Sequence, residues 1–250
     1  MSRLFLAGAD AIPFLCAHLK DPRPTQLVVV PTLHILAEVS AFYDEYGFHQ
    51  SLKQLEKLEE MGSLPKPFRV PCGDLCFWLL GEITNRRFSP NQQMAQIARI
   101  SAPSLFPQLA DRASREWGHC SKETLYRSLA RDLESPDMMY RDSGALKRLL
   151  ALYPGRAVDC LLVRISEPLV SGILEADVED RLRHRNTLDP YQLQILLKEM
   201  ESVPDARLDA AAVRLLAKIQ RSPKLMDAAE DDLISMLKRR AAASTSKKQD

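Results

Sequence analysis

Cys72 and Cys76 are the first residues whose chemistry invites a test, with Gly73, Asp74 and Leu75 between them. Closely spaced thiolates suit zinc. A structural zinc site, however, takes four ligands, usually with two residues between the members of a cysteine pair. Three intervene here and no second pair of suitable spacing follows, so any further ligand would have to come from elsewhere in the fold, as His119 and Cys120 would. The expectation is free thiols buried in helices, with no metal. His34 and Glu38 stand one helical turn apart, as an acid–base pair would, but such pairs also arise on any helix surface. There is no serine elbow, glycine-rich phosphate loop or paired-histidine zinc helix. The nine glycines are scattered singly, so no cluster of backbone amides is set up to cradle a phosphate. No catalytic residue, cofactor or small-molecule substrate is predicted. An enzyme with its site in the N-terminal region is kept as an alternative.

Basic residues are more informative. Arg86 and Arg87 form one cluster, and Arg183, His184 and Arg185, with Arg181 just before, form another. Arginines lined along one edge of a helical array can hold RNA phosphates through charge-assisted hydrogen bonds. They can equally be solvated, with Arg181 and Arg183 paired to Glu175, Glu179 or Asp180. A second reading lies between Leu109 and Leu129. There Ala113, Trp117 and Gly118 followed by Ser121 approximate a helix-turn-helix, which would aim Lys122, Tyr126 and Arg127 at a DNA groove. Its turn, through Gly118, His119 and Cys120, is one residue too long.

The elements that would position these residues show an internal repeat. Pro90 and Pro190 lie 100 positions apart, and Gln92 and Gln192 match at that offset. Ser89 and Asp189 are good N-caps, because their side-chain oxygens accept from unpaired first-turn amides. Proline at the first helical position loses no needed donor. Two residues further out of step, Phe106, Leu109, Ala110, Ala113 and Trp117 align with Leu208, Ala211, Ala212, Leu215 and Ile219. This is the three-and-four spacing of a buried helix stripe. Pro103 and Pro204 fall between the two helices of each copy. A third helix follows, over 121–133 and over 225–237. A helix pair that cannot bury its own face must stack on a neighbour, which predicts a mainly α fold with a helical-repeat, solenoid-like body.

Serine or aspartate before proline, with glutamine two positions on and paired helices after it, resembles the degenerate α-helical repeats of organellar RNA-binding proteins. These are the heptatricopeptide, octotricopeptide and FAST-kinase-type families, and the likeness covers residues 87–134 and 187–238. The resemblance implies RNA or ribonucleoprotein association and a mitochondrial address. It carries over no catalytic or base-reading residue.

The rest of the chain bounds these readings. Residues 1–61 read as an N-terminal region of helices or a small α/β element. Asp10 could cap a helix to Lys20, and Leu27 to Val30 reads as a buried strand when taken alone, although a helical fold is favoured overall. Residues 62–71, with three prolines, read as a loop dividing this region from a repeat domain over 72–240. Within that domain 72–84 and 140–153 read as helices, with Pro154 and Gly155 stopping the second. Residues 241–250 read as a disordered tail. The net charge of +1 gives no global field, so an anionic partner must meet a local basic patch. Five cysteines, an odd number, suit a reducing compartment, the mitochondrial matrix or the cytoplasm. No apolar run is long enough to span a membrane. The functional expectation is a non-catalytic scaffold or RNA-associated subunit of a larger assembly with protein partners, and a helix-turn-helix DNA binder is the alternative.

Overall fold

The computed structural model describes residues 2–29, 45–46, 68–86, 88, 102–134, 141–169, 188–201, 203–229 and 231–246. Over these residues the chain is mostly helical, with one two-stranded sheet. It divides into two compact units, 1–125 and 126–250. The break expected at 62–71 therefore falls inside the first unit. The expected helix start at Pro90 lies outside the described residues.

In the first unit, α1 (Ser2–Ala7) leads through a 3-10 turn into α2 (Ile12–Ala17), which carries Pro13 in its first turn. The strands β1 (Pro24–Val29) and β2 (Phe68–Pro71) pair antiparallel. The strand reading and its expected burial part company here. Leu27 to Val29 is strand, as its β-branched residues favour. It is not buried, since Val28 is 52% exposed. The two strands run antiparallel. The end of the supposed proline loop is the partner strand. Pro24 and Pro71 sit at its margins, where a missing N–H costs nothing.

β2 runs directly into α3 (Cys72–Thr84), the helix expected over those residues. Asn85 closes α3 in the left-handed conformation (φ 58°), its N–H donating to the Gly81 carbonyl. The reversed chain then brings Phe88 back over the helix. A Cβ on Gly81 would stand 2.8 Å from Phe88 Cβ, so glycine is what admits this approach. Phe88 stacks on Phe77 with ring centroids 4.5 Å apart. α4 (Gln108–Trp117) packs on α2 through the predicted stripe, with Leu109, Ala110, Ala113 and Trp117 all buried. The break before α4, at Pro103, is fastened to α3. Buried Asp74 accepts from Ser104 N at 2.8 Å and from Ser104 Oγ at 2.5 Å. α5 (Lys122–Glu134) is capped by Ser121, whose Oγ accepts from Thr124 N, and the unit boundary falls within this helix.

The second unit continues with α6 (Arg141–Leu152) and α7 (Pro154–Ile165). Pro154 starts α7 as well as ending α6, since proline at N1 suits a helix opening. A parallel bridge between Leu169 and Leu188 joins the chain on either side of residues 170–187. α8 (Pro190–Glu199) begins at the predicted proline. The Asp189 carbonyl accepts from Leu193 N, and Gln192 Oε1 accepts from Asp189 N at 3.3 Å, which is the return half of a capping box. α9 (Ala206–Gln220) buries Leu208, Ala211, Ala212, Leu215 and Ile219, as the repeat alignment predicts.

The third helix of the second copy departs from expectation. Residues 225–237 are split between α10 (Pro223–Ala228) and α11 (Asp231–Ser246), with Ala229 extended at ψ 121°. Ser222 and Pro223 open one helix, and Asp231 and Asp232 supply the first-turn acids of the next. α11 runs on to Ser246, so the tail expected to be disordered is helical through six of its residues. α11 packs on α8 and α9 and sends Arg240 into the break between them. There Arg240 donates to Asp209 at 3.1 Å and to the carbonyls of Met200 and Val203. The Arg240 and Asp209 side chains are only 11% and 7% exposed.

Breaking one side of such a buried pair costs about 3 kcal/mol or more. Arg240→Met should lower unfolding stability by that order in urea denaturation. Arg240→Lys should recover little of it, because one ammonium cannot reproduce a planar fork that spans three acceptors. Wild-type stability in Arg240→Met would show that the contact contributes nothing, and wild-type stability in Arg240→Lys that the fork geometry does not matter.

Candidate nucleic-acid interface

Of the residues proposed to line an RNA edge, Arg87, Arg183, His184 and Arg185 lie outside the described residues. Arg86 does not face out. Its guanidinium lies 5.2 Å from the Trp117 ring centroid, its Nε is 3.8 Å from Glu45, and it donates to the Thr84 and Asn85 carbonyls. Its side chain is 13% exposed. The left-handed turn at Asn85 folds the chain back and carries Arg86 against α4, so the expected phosphate contact at this position is corrected to an internal one.

The DNA reading also loses its reach. Lys122 pairs with Asp10 at 2.8 Å. Tyr126 turns into the second unit, where its hydroxyl is 3.0 Å from Cys160 Sγ and the Arg156 guanidinium lies 3.2 Å from its ring centroid. Tyr153 meets it edge-on. The contact with Cys160 raises the Tyr126 pKa. Arg127 is exposed and is itself engaged in a contact within the fold. A recognition helix needs several side chains projecting together into the groove, and α5 has committed Tyr126 elsewhere.

All five cysteines are free thiols. The fold does bring Cys16 and Cys120 into electrostatic range of each other. Burial, with Cys120 nearby, pushes the Cys16 thiol up to about 11. Burial, with Cys72 next, pushes Cys76 up to about 12, and burial raises Cys120. These thiols stay protonated at neutral pH, the opposite of an activated nucleophile. Among the described residues no three His, Cys, Asp or Glu side chains are grouped to hold a metal ion. No described helix is long and apolar enough to cross a membrane.

The structure reveals a basic surface that a search for neighbouring arginines passes over. Arg207, Arg214, Lys218 and Arg221 follow one another at intervals of seven, four and three. At about 100° per residue they share one face of α9 and its C-cap, within roughly 60° of arc. Arg214, Lys218 and Arg221 are exposed and make no ion pair among the described residues. Arg207, at the helix start, is neutralised by Asp205 at 2.9 Å and Asp159 at 2.6 Å. The single acid within α9, Asp209, is turned into the core against Arg240. Lys224, in the first turn of α10, extends the exposed cations by one position. The sequence signal was present as a helical period, not as a run.

The thiols give a direct check on burial. In a thiol titration of the native protein at pH 8, Cys16, Cys76 and Cys120 should lag, and all five should react once the chain is denatured. Equal, fast reaction of all five in the native protein would contradict this packing. A comparison with family models finds no match to the chain, and comparisons with curated proteins and with solved structures find none either.

Proposed function

We propose that this chain is a non-catalytic, RNA-associated subunit of a larger ribonucleoprotein assembly, and that it holds phosphates along the exposed face of α9. The observation that carries the reading is the sorting of charge on that helix. Three unpaired cations point to solvent within about 10 Å of helix axis, while the one acid of the helix is sequestered. With a net charge of only +1, attraction of a polyanion must be local, and this face supplies it. α9 is also the second helix of the second repeat copy, the module that resembles organellar RNA-binding repeats. The helical-repeat reading is supported by the shared stripe and by the capped proline at 190.

Arg214, Lys218 and Arg221 should contact the backbone and not the bases, so binding should be strong in salt dependence and weak in sequence preference. Three phosphate contacts on a single strand give a slope of about −2 in log affinity against log salt. The experiment is fluorescence anisotropy with a labelled 20-nucleotide single-stranded RNA, from 50 to 300 mM salt. The triple variant Arg214→Glu, Lys218→Glu and Arg221→Glu should lose binding while keeping its melting temperature within a few degrees, since these side chains touch no core. Unchanged binding in the variant, or none in the wild type at 50 mM salt, would reject the reading. Preference for duplex DNA over the single strand would reject the RNA assignment.

A further inference from the structure

The α4 positions that align with the α9 stripe are built differently. By the repeat offset, Arg112 matches Arg214 but Glu116 matches Lys218. Arg112, Arg115, Gln108 and Glu116 line an open groove of about 580 Å³.

Tyr46 organises this groove through three of its groups. Its ring lies under the Arg112 guanidinium, 4.3 Å from centroid to Cζ. Its carbonyl accepts from Arg112 Nη1 at 3.2 Å. Its hydroxyl donates to Glu116 Oε2 at 2.6 Å. The ring is itself backed by Phe88, at 5.1 Å, and Phe88 by Phe77, at 4.5 Å. Phe77 and Phe88 are fully buried. Arg112 is therefore the outer end of a column rooted in the core, and little side-chain entropy remains to be lost when it binds.

The same arrangement keeps the groove cationic. Glu116 is one turn from Arg112 on α4, where the two would ordinarily pair. The Tyr46 hydroxyl holds the carboxylate instead, and no Arg112–Glu116 ion pair forms. Asp111, the other acid of α4, is taken by Lys20 at 2.6 Å. Arg115, three residues from Arg112, has no partner among the described residues. Of the five donors on Arg112, one is spent on Tyr46. Two planar forks on one helix face, with the Gln108 amide beside them, match carboxylates, which guanidinium binds in bidentate fashion.

We infer that the α4 groove is a docking site for an acidic peptide segment of a protein partner, with Arg112 and Arg115 gripping its carboxylates and Tyr46 holding Arg112 ready. The groove belongs to the first unit and the α9 face to the second, and the inference does not depend on the RNA reading.

The test uses the full chain and a fluorescein-labelled peptide of ten glutamates, read by anisotropy. Arg112→Ala with Arg115→Ala should lose binding at least tenfold, while the α9 triple variant should retain it, so that failure of either idea leaves the other standing. Two conservative variants report on the mechanism. Glu116→Gln removes the competing charge and should tighten binding roughly twofold to fivefold. Tyr46→Phe keeps the ring but releases Glu116 to pair with Arg112, and should weaken binding by a similar factor. Circular dichroism melts confirm that each variant is folded.

The inference is overturned if Glu116→Gln leaves the affinity unchanged, or if binding is lost in the α9 variant and kept in the Arg112 and Arg115 variant. It is also overturned if 10 mM inorganic phosphate displaces the peptide completely, which would make this a phosphate site. Displacement by single-stranded RNA from the groove in the α9 variant would assign it to nucleic acid and overturn it as well.

Discussion

A guanidinium inserted where two helices part is the contact on which the second unit depends. Beyond the end of α8 the chain turns toward Pro204, and the backbone there takes a side-chain donor in addition to the bond from Val203 N to the Met200 carbonyl. Arg240 supplies donors to Met200 and Val203 and at the same time neutralises buried Asp209. One side chain thus ties α11 to α9 and to the segment that joins α8 to α9. The break at Pro103 is met in the reverse sense. There an anion, Asp74, accepts an N–H and a hydroxyl from Ser104 and fixes the chain to α3. Both turns need an outside partner for backbone that their own helices abandon. That the partners differ in sign shows that the two copies share a pattern of stripes and breaks without sharing the contacts that hold them.

These contacts also decide where charge is left over. The core contact satisfies Asp209 on the side of α9 away from Arg214 and Lys218, whose face carries cations only. On α4 the Tyr46 hydroxyl takes Glu116 away from Arg112. On α4 an acid one turn from a base is thus drawn off by a group from a distant part of the chain. A polypeptide of nearly zero net charge can in this way present local positive surfaces. The reverse happens at Arg86 and Tyr126, whose chemistry is drawn inward by Trp117 and Glu45, and by Cys160 and Arg156, respectively.

Local signals were reliable where one residue type has one physical use. Aspartate followed by proline places the start of α8, and leucine or alanine at three-and-four spacing places α4 and α9. They failed where the outcome rests on a partner far along the chain. Leu27 to Val29 is a strand because Phe68 to Val70 comes alongside it, some 40 residues later. The split between α10 and α11 has no proline or glycine to announce it; Ala229 is extended, and no residue type required that.

The helical period of the cations on α9 was written in the chain, as was the buried stripe beside it, because both follow from 3.6 residues per turn alone. Which of those cations would remain unpaired was not. Pairing is a matter of distances across the fold, and Asp209, Glu116 and Asp10 each find partners 31, 70 and 112 residues away. The sequence by itself determined the helices and the faces they bury. Tertiary structure decided which charges those faces leave in water, since a neighbour in space and a neighbour in sequence compete for the same carboxylate.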